Sequence, residues 1–335
     1  MKIAAYAVKE PGGKAEPFFY ERRVGKNDVL VKISHCAIAT GDVQFINNDW
    51  NDTKFPLVPG HEIIGTVKQT GSNVSGLKNG DRVGVGYQVE ACFNCQFCKD
   101  GNEQFCPKQK VIAVDFPGGL AAHIVVDGRF AFKIPSKLDS AKSAPLLSSG
   151  LTVYSAIVRA KLPARSKTAV MGIGGLGQLA IQFLHKMGHD VVAFSRTVEK
   201  KEMIGRLGGE YVDSSNLGAS TDLIRKFDFI LSTLNVDFDL NAYLRMLKPQ
   251  GKFCVVAQPL NKLTLNAGLL YDNAQRSIYG NYTGSRKDMT NMLSFSAKHN
   301  VQSIVDVMPF SKMNEAIELV KTGKVPMRLV LQNTD

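Results

Sequence analysis

The stretch 168-TAVMGIGGLGQLAIQFLHKMG-188 limits the possible folds more than any other part of the chain. It reads as a β-branched and apolar strand, a tight turn, and then a helix. Gly172, Gly174 and Gly177 form G-x-G-x-x-G, with Gly175 and Leu176 inside the turn. Beyond it Leu176, Leu179, Ala180, Phe183, Leu184 and Met187 fall at helical spacing on one apolar face, and Gly188 stands where a helix-ending glycine belongs. In this setting the glycines allow the turn, let backbone approach a pyrophosphate, and let the helix pack closely on the strand. The helix N-terminus turns its positive dipole end to the phosphates. The expected ligand is a dinucleotide.

The next strand-like run, 190-DVVAFS-195, ends in Ser195 and Arg196, with Lys200 and Lys201 close behind. NAD sites usually carry Asp or Glu there, to accept from the ribose hydroxyls. A hydroxyl and a planar guanidinium suit a 2′-phosphate, which a carboxylate would repel. The expected cofactor is therefore NADP(H), held by Gly172, Gly174, Gly175, Leu176, Gly177, Ser195, Arg196 and Lys200. An ordinary solvated basic turn is the competing reading.

At 335 residues the chain has room for two domains. Residues 1 to about 142 hold short alternating runs such as 29-VLVKIS-34, 63-IIGTVKQ-69, 82-RVGVG-86 and 123-HIVVD-127, cut by glycine and proline. From 143 to 284 strand-like runs alternate with helical ones, as 228-DFILST-233, 252-KFCVVA-257 and 277-SIYGNY-282 follow the glycine loop. That alternation implies a parallel sheet and an α/β fold. The remainder, 285–335, offers a helical run 286-RKDMTNMLSFSAKHN-300, a second at 311-SKMNEAIELVKTG-323 opening on Ser311, and a strand-like 327-MRLVLQ-332.

Four of six cysteines fall in 92-CFNCQFCKDGNEQFC-106, as C-x2-C-x2-C-x7-C within a lobe of about 88–110. Such density in a cytoplasmic chain points to metal rather than disulfides. Cys92, Cys95, Cys98 and Cys106 supply four thiolates, a closed tetrahedral shell for one structural zinc per chain. An iron–sulfur cluster is the alternative, since Pro107 follows Cys106, but the last gap is seven residues rather than three. Cys36 and Cys254 sit in apolar runs and read as buried small hydrophobes. The formal charge of +11 drops to about +9 with the zinc site loaded. Lys and Arg are scattered, without the stripe or arm of a nucleic-acid binder. No apolar run is long enough to span a membrane, and the N-terminus lacks a secretory core. The reading is a soluble, cytoplasmic protein acting on a small molecule.

The order of motifs carries a resemblance over almost the whole chain. It runs 58-VPGHEIIGTV-67, 79-NGDRVGVG-86, the cysteine lobe, 118-GGLAAHIVV-126, 145-PLLSSGLTVYSA-156, the glycine loop and 280-GNYTGSRKDM-289. This resembles the zinc-type medium-chain alcohol dehydrogenases, in their cinnamyl-alcohol-dehydrogenase-like branch. The resemblance implies a GroES-like β-rich catalytic domain (1–142 and 285–335), a Rossmann cofactor domain (143–284), a homodimer, and Thr152 beside the nicotinamide.

The same resemblance implies a catalytic zinc on Cys, His and Cys, with a Glu nearby, and here the chain departs. Aligned on Asp42, the family segment C-G-V-C-H-T-D reads C-A-I-A-T-G-D, so Ala39 stands at the first ligand position and Gly41 at the proton-relaying hydroxyl. The second ligand cysteine is Ser148; His61 and Glu62 remain. Both thiolates of the three protein ligands are missing, which leaves a vacated metal site. Without a Lewis acid, a carbonyl must be polarised by hydrogen bonds or protonated by an acid. His61, Ser148, Thr40 and Tyr87 are the candidates, His61 first because histidine ordinarily titrates nearest neutrality. A purely structural His61, bonded to Glu62 or Ser148, is the bland reading. Trp50 and Phe55 are candidate walls of an apolar pocket. The function expected is NADPH-dependent reduction of an aldehyde, enone or quinone without catalytic zinc. A conventional zinc alcohol dehydrogenase and a non-catalytic NADPH-binding protein are the alternatives.

Overall fold

A computed structural model of the protein describes residues 1–215, 221–259, 261–325 and 327–333. The chain divides into two compact units, Met1–Ser148 with Ser285–Asp335, and Ser149–Gly284. The first division falls at Ser148 rather than at 142. Leu146 and Leu147 are buried in the first unit, where Leu147 fills the space left by Gly84, so the turn Ala144–Leu147 belongs there.

The second unit is built on six parallel strands. Their spatial order is Gly209–Asp213, Asp190–Ser195, Lys167–Met171, Phe227–Ser232, Leu247–Val255 and Ser277–Gly280. In chain order this is 3-2-1-4-5-6, the doubly wound arrangement whose ligand crevice lies at the carboxyl ends of the first and fourth strands. Strands covered on both faces read as unbroken apolar runs, and Thr168–Met171 and Phe229–Ser232 are buried throughout. The helix Gly175–Lys186 departs from the expected single apolar face: every residue from Gly177 to Leu184 is buried, Ile181, Gln178 and Gln182 included. A helix enclosed all round is interior rather than amphipathic. Gly188 follows its end at φ +86°.

The first unit holds a seven-stranded sheet centred on Asp28–Ile38. That long strand pairs antiparallel with Glu62–Thr70, His123–Asp127 and Leu329–Gln332. Its register sets Ala37 opposite Glu62 and Ile38 opposite Leu329. The residues just outside those pairs, Ala39, His61 and Arg328, are thereby drawn to one end of the sheet. The helix Arg286–His299 is capped by Ser285, whose hydroxyl and Asp288 form a capping box. Ser311 does not play that part for the last helix. It lies in a 3-10 turn, Phe310–Lys312, and the helix proper starts at Met313. Cys36 and Cys254 are fully buried. Among the described residues, no helix is long and apolar enough to cross a membrane.

Candidate functional site

In the first unit the centre of the candidate site is a buried pair. His61 donates from Nδ1 to Asp42 Oδ1 at 2.7 Å. The same carboxylate accepts from the Gly60 N–H at 3.0 Å and from the Ala39 N–H at 2.8 Å. Asp42 is in the first turn of the helix Thr40–Asn47, three residues after Ala39, and so reaches back to the residue that opens the helix. Burial alone would raise the Asp42 carboxyl, but His61 and the two backbone donors outweigh it and hold Asp42 below the usual carboxylate range. An ionised Asp42 is acceptor only, so Nδ1 carries the ring proton and Nε2 is left for other chemistry.

Tyr87 meets the His61 ring edge-on at 5.8 Å and stacks on Phe45 at 6.1 Å, while Trp50 packs edge-on against Phe45 at 4.8 Å. Phe55 packs, partly buried, against the same core. Thr40 is exposed and Ser148 half-buried, and neither hydrogen-bonds to His61. A Cβ on Gly41 would lie 3.5 Å from His61 Cε1, an ordinary contact, so the position where the resemblance expects a hydroxyl adjoins the ring.

The expected alternative partners of His61, Glu62 and Ser148, are not its partners. Glu62 faces Arg328 instead, and both side chains are almost wholly buried. Burial lowers the Arg328 guanidinium to about 10, with Asp42 and Cys36 acting in the opposite direction. Asp42 and Arg328 are members of this buried cluster that sequence reading did not single out. The helix-capping spacing from Ala39 to Asp42 and a lone arginine inside 327-MRLVLQ-332 were the available signals.

The donor set is a poor match for a catalytic zinc. Ala39 offers a methyl group, Ser148 a neutral hydroxyl, and the Glu62 carboxylate is engaged by Arg328. Among the described residues, the one set of three or more His, Cys, Asp or Glu ligand atoms gathered closely enough for a metal is elsewhere.

That set is Cys92, Cys95, Cys98 and Cys106, whose sulfurs all lie within 4.8 Å of one another. None forms a disulfide. The Asn94 and Cys95 N–H groups pull the Cys92 thiol down to about 6, whereas burial pushes Cys98 up to about 12. Four adjacent sulfurs cannot all ionise without a cation among them, and a tetrahedral dication suits this chemistry. Phe93, at φ +54°, shapes the first turn of the lobe and lies under the Arg129 guanidinium at 3.5 Å. Arg286 ties Glu103 of the lobe to the start of the helix Arg286–His299.

In the second unit the glycine loop has the form a pyrophosphate needs. Gly172 sits at φ +83°, and a Cβ on Gly177 would come within 2.0 Å of the Gly172 carbonyl oxygen. A Cβ on Gly174 would meet nothing within 4 Å, so open space lies beside the backbone ahead of the helix Gly175–Lys186, where Leu176 stands in the first turn. Thr233 Oγ1 donates to the Gly172 oxygen at 2.7 Å. Arg196 is exposed after the strand Asp190–Ser195, and the Ser195 hydroxyl is drawn into its own turn, accepting from the Thr197 N–H at 3.1 Å. Lys200 does not stand free: its ammonium donates to the Ile173 carbonyl at 2.7 Å, and burial lowers it. Thr152 donates to the Tyr282 carbonyl, and Asn281 donates to the carbonyl of Thr152.

Comparison with known proteins agrees with this architecture. Residues 25–136 match the alcohol dehydrogenase GroES-like domain, and residues 175–298 match the zinc-binding dehydrogenase domain. An aldehyde reductase of Synechocystis sp. is 37% identical over 334 residues, covering 99% of both chains. A sorghum (Sorghum bicolor) cinnamyl alcohol dehydrogenase structure superposes with a TM-score of 0.94 at 31% identity, covering 99% of this chain and 98% of its own. The Helicobacter pylori cinnamyl alcohol dehydrogenase, solved with NADP(H), gives 0.92 at 30% identity, with the same coverage. The motif order, the two domain matches and this full-length similarity together place the chain in the zinc-type medium-chain alcohol dehydrogenases, in their cinnamyl-alcohol-dehydrogenase-like branch, a family of oxidoreductases.

Proposed function

We propose that the protein is an NADPH-dependent reductase of an aldehyde, enone or quinone that works without a catalytic zinc. The observation that supports this reading is Ala39 and Ser148 standing at the two positions where the resemblance expects thiolates, together with an assembled Asp42–His61 pair. A buried, carboxylate-oriented imidazole serves equally to bind metal and to exchange a proton. With the thiolates gone, only the second use remains.

NADPH, when bound, supplies a hydride. Reduction of a carbonyl or a conjugated double bond also consumes one proton, which His61 in its doubly protonated, imidazolium form would give from Nε2, keeping its Nδ1 proton on Asp42, which fixes the ring plane. Phe45, Trp50 and Tyr87 form an aromatic wall near the imidazole that favours a flat, conjugated substrate. Glycine backbone and the dipole of the helix Gly175–Lys186 receive the pyrophosphate. Ser195 and Arg196, in place of a carboxylate, favour the 2′-phosphate, and the full-length relative solved with NADP(H) supports that choice. The four cysteines hold a structural zinc.

Metal analysis of unstripped protein, run beside NADPH-oxidation assays on cinnamaldehyde, an enone and a quinone, tests this. The expected result is about one zinc per chain with turnover of at least one acceptor. Two zincs would restore the conventional metallo-dehydrogenase. One zinc with no turnover of any acceptor would leave a cofactor-binding protein without catalysis.

A further inference from the structure

From the hydrogen bond that Lys200 makes we infer that this residue positions the glycine loop for the pyrophosphate of any dinucleotide, rather than acting only on a 2′-phosphate. The inference rests on the dinucleotide site above and concerns how it is held in shape.

The lysine ammonium donates to the Ile173 carbonyl, the peptide oxygen between the first two glycines of the motif, at 2.7 Å. Thr233 takes the neighbouring Gly172 oxygen at 2.7 Å. Two consecutive peptide oxygens of the loop are therefore tied to side chains from other parts of the second unit, Lys200 after the strand Asp190–Ser195 and Thr233 after Phe227–Ser232. A trans peptide is planar, and its C=O and the following N–H point in opposite directions. Holding the Ile173 oxygen toward Lys200 thus turns the Gly174 N–H away from it. Gly174 is also the loop residue beside which a Cβ would find open space. An anion at a helix N-terminus is bound by just such outward N–H groups.

A second consequence concerns the charge. Gly172 at φ +83° and the absence of a side chain at Gly174 leave the loop little intrinsic preference for one peptide orientation. An ammonium on a carbonyl is a strong, directional restraint on it. Lys200 links the pyrophosphate loop to the turn that carries Ser195 and Arg196, so the two halves of the cofactor site are set by one side chain.

The test separates the two phosphates. ADP carries a pyrophosphate without a 2′-phosphate, and adenosine 2′-monophosphate carries the reverse. Both are titrated by calorimetry into the full chain and into Lys200→Met, with thermal melting as the folding control. A positioning role predicts a loss of about tenfold in ADP affinity, about 1.4 kcal/mol, and a smaller change for adenosine 2′-monophosphate. Lys200→Arg, which keeps a cationic donor, should recover part of the ADP affinity. Loss confined to adenosine 2′-monophosphate would overturn the inference, as would equal loss of both ligands with a lowered melting temperature. If the unsubstituted chain binds neither ligand, the dinucleotide reading itself fails, which is a distinct outcome.

Discussion

Replacing Asp42 by alanine removes the acceptor on which three buried donors converge. These are the Ala39 N–H at 2.8 Å, the Gly60 N–H at 3.0 Å and His61 Nδ1 at 2.7 Å. Each buried donor left unsatisfied costs about 1–3 kcal/mol, so three give about 3 kcal/mol at the low end. In a chain whose net stability is of order 5–15 kcal/mol, that is a large fraction, and at roughly 2–4 °C per kcal/mol it lowers the melting temperature by about 6 °C or more. Asparagine is the informative comparison. Its carbonyl can keep the Gly60 and His61 bonds, but its amide NH2 then faces the Ala39 N–H, so one donor is lost instead of three. The expected cost of Asp42→Asn is about one third of that of Asp42→Ala. Scanning calorimetry of both variants reads the difference, and equal costs would show that the carboxylate is not the hub described here.

The pH dependence follows with its sign. Asp42 has a lower pKa folded than unfolded, so its contribution is fully present above the ordinary carboxylate value of about 3.9 and fades as the pH drops through the folded value. The stability gap between the parent chain and Asp42→Asn should therefore narrow below about pH 4 and stay flat above it.

Two further outcomes follow from the metal chemistry. The double variant Ala39→Cys with Ser148→Cys should raise zinc from about one to about two per chain by elemental analysis, because His61 is already oriented for it; a count that stays at one would show that more than two thiolates was lost. Cys95→Ser should bring zinc close to zero and lower the melting temperature, since binding and folding of such a lobe are linked. Full stability after loss of the metal would exclude a structural role for it.

Much of this molecule was legible in residues 168–188 and 92–106, because both chemistries are local. A glycine needed for φ > 0 or for a close backbone approach is needed at one point in the chain, and Gly172 and Gly177 meet those demands within a single turn. The four cysteines lie within fifteen residues, so short loops suffice to bring their sulfurs to within 4.8 Å. The alternation of strand and helix after 143 likewise carries its own period, and it forecast a parallel sheet and five of its six strands, while Gly209–Asp213 was not read as one.

What spacing could not reveal are the contacts made by strand register. His61 and Asp42 are nineteen residues apart, and Glu62 is much farther from Arg328, so no periodicity connects them. They meet because Ala37 is paired with Glu62 and Ile38 with Leu329, an alignment set by which faces of three strands must be buried. The same holds for Lys200, which reads in the chain as a free cation beside Arg196 and in the fold donates to Ile173. Motifs written within one turn survive in the linear order of residues. Partners chosen by burial across a sheet exist only once the sheet has formed.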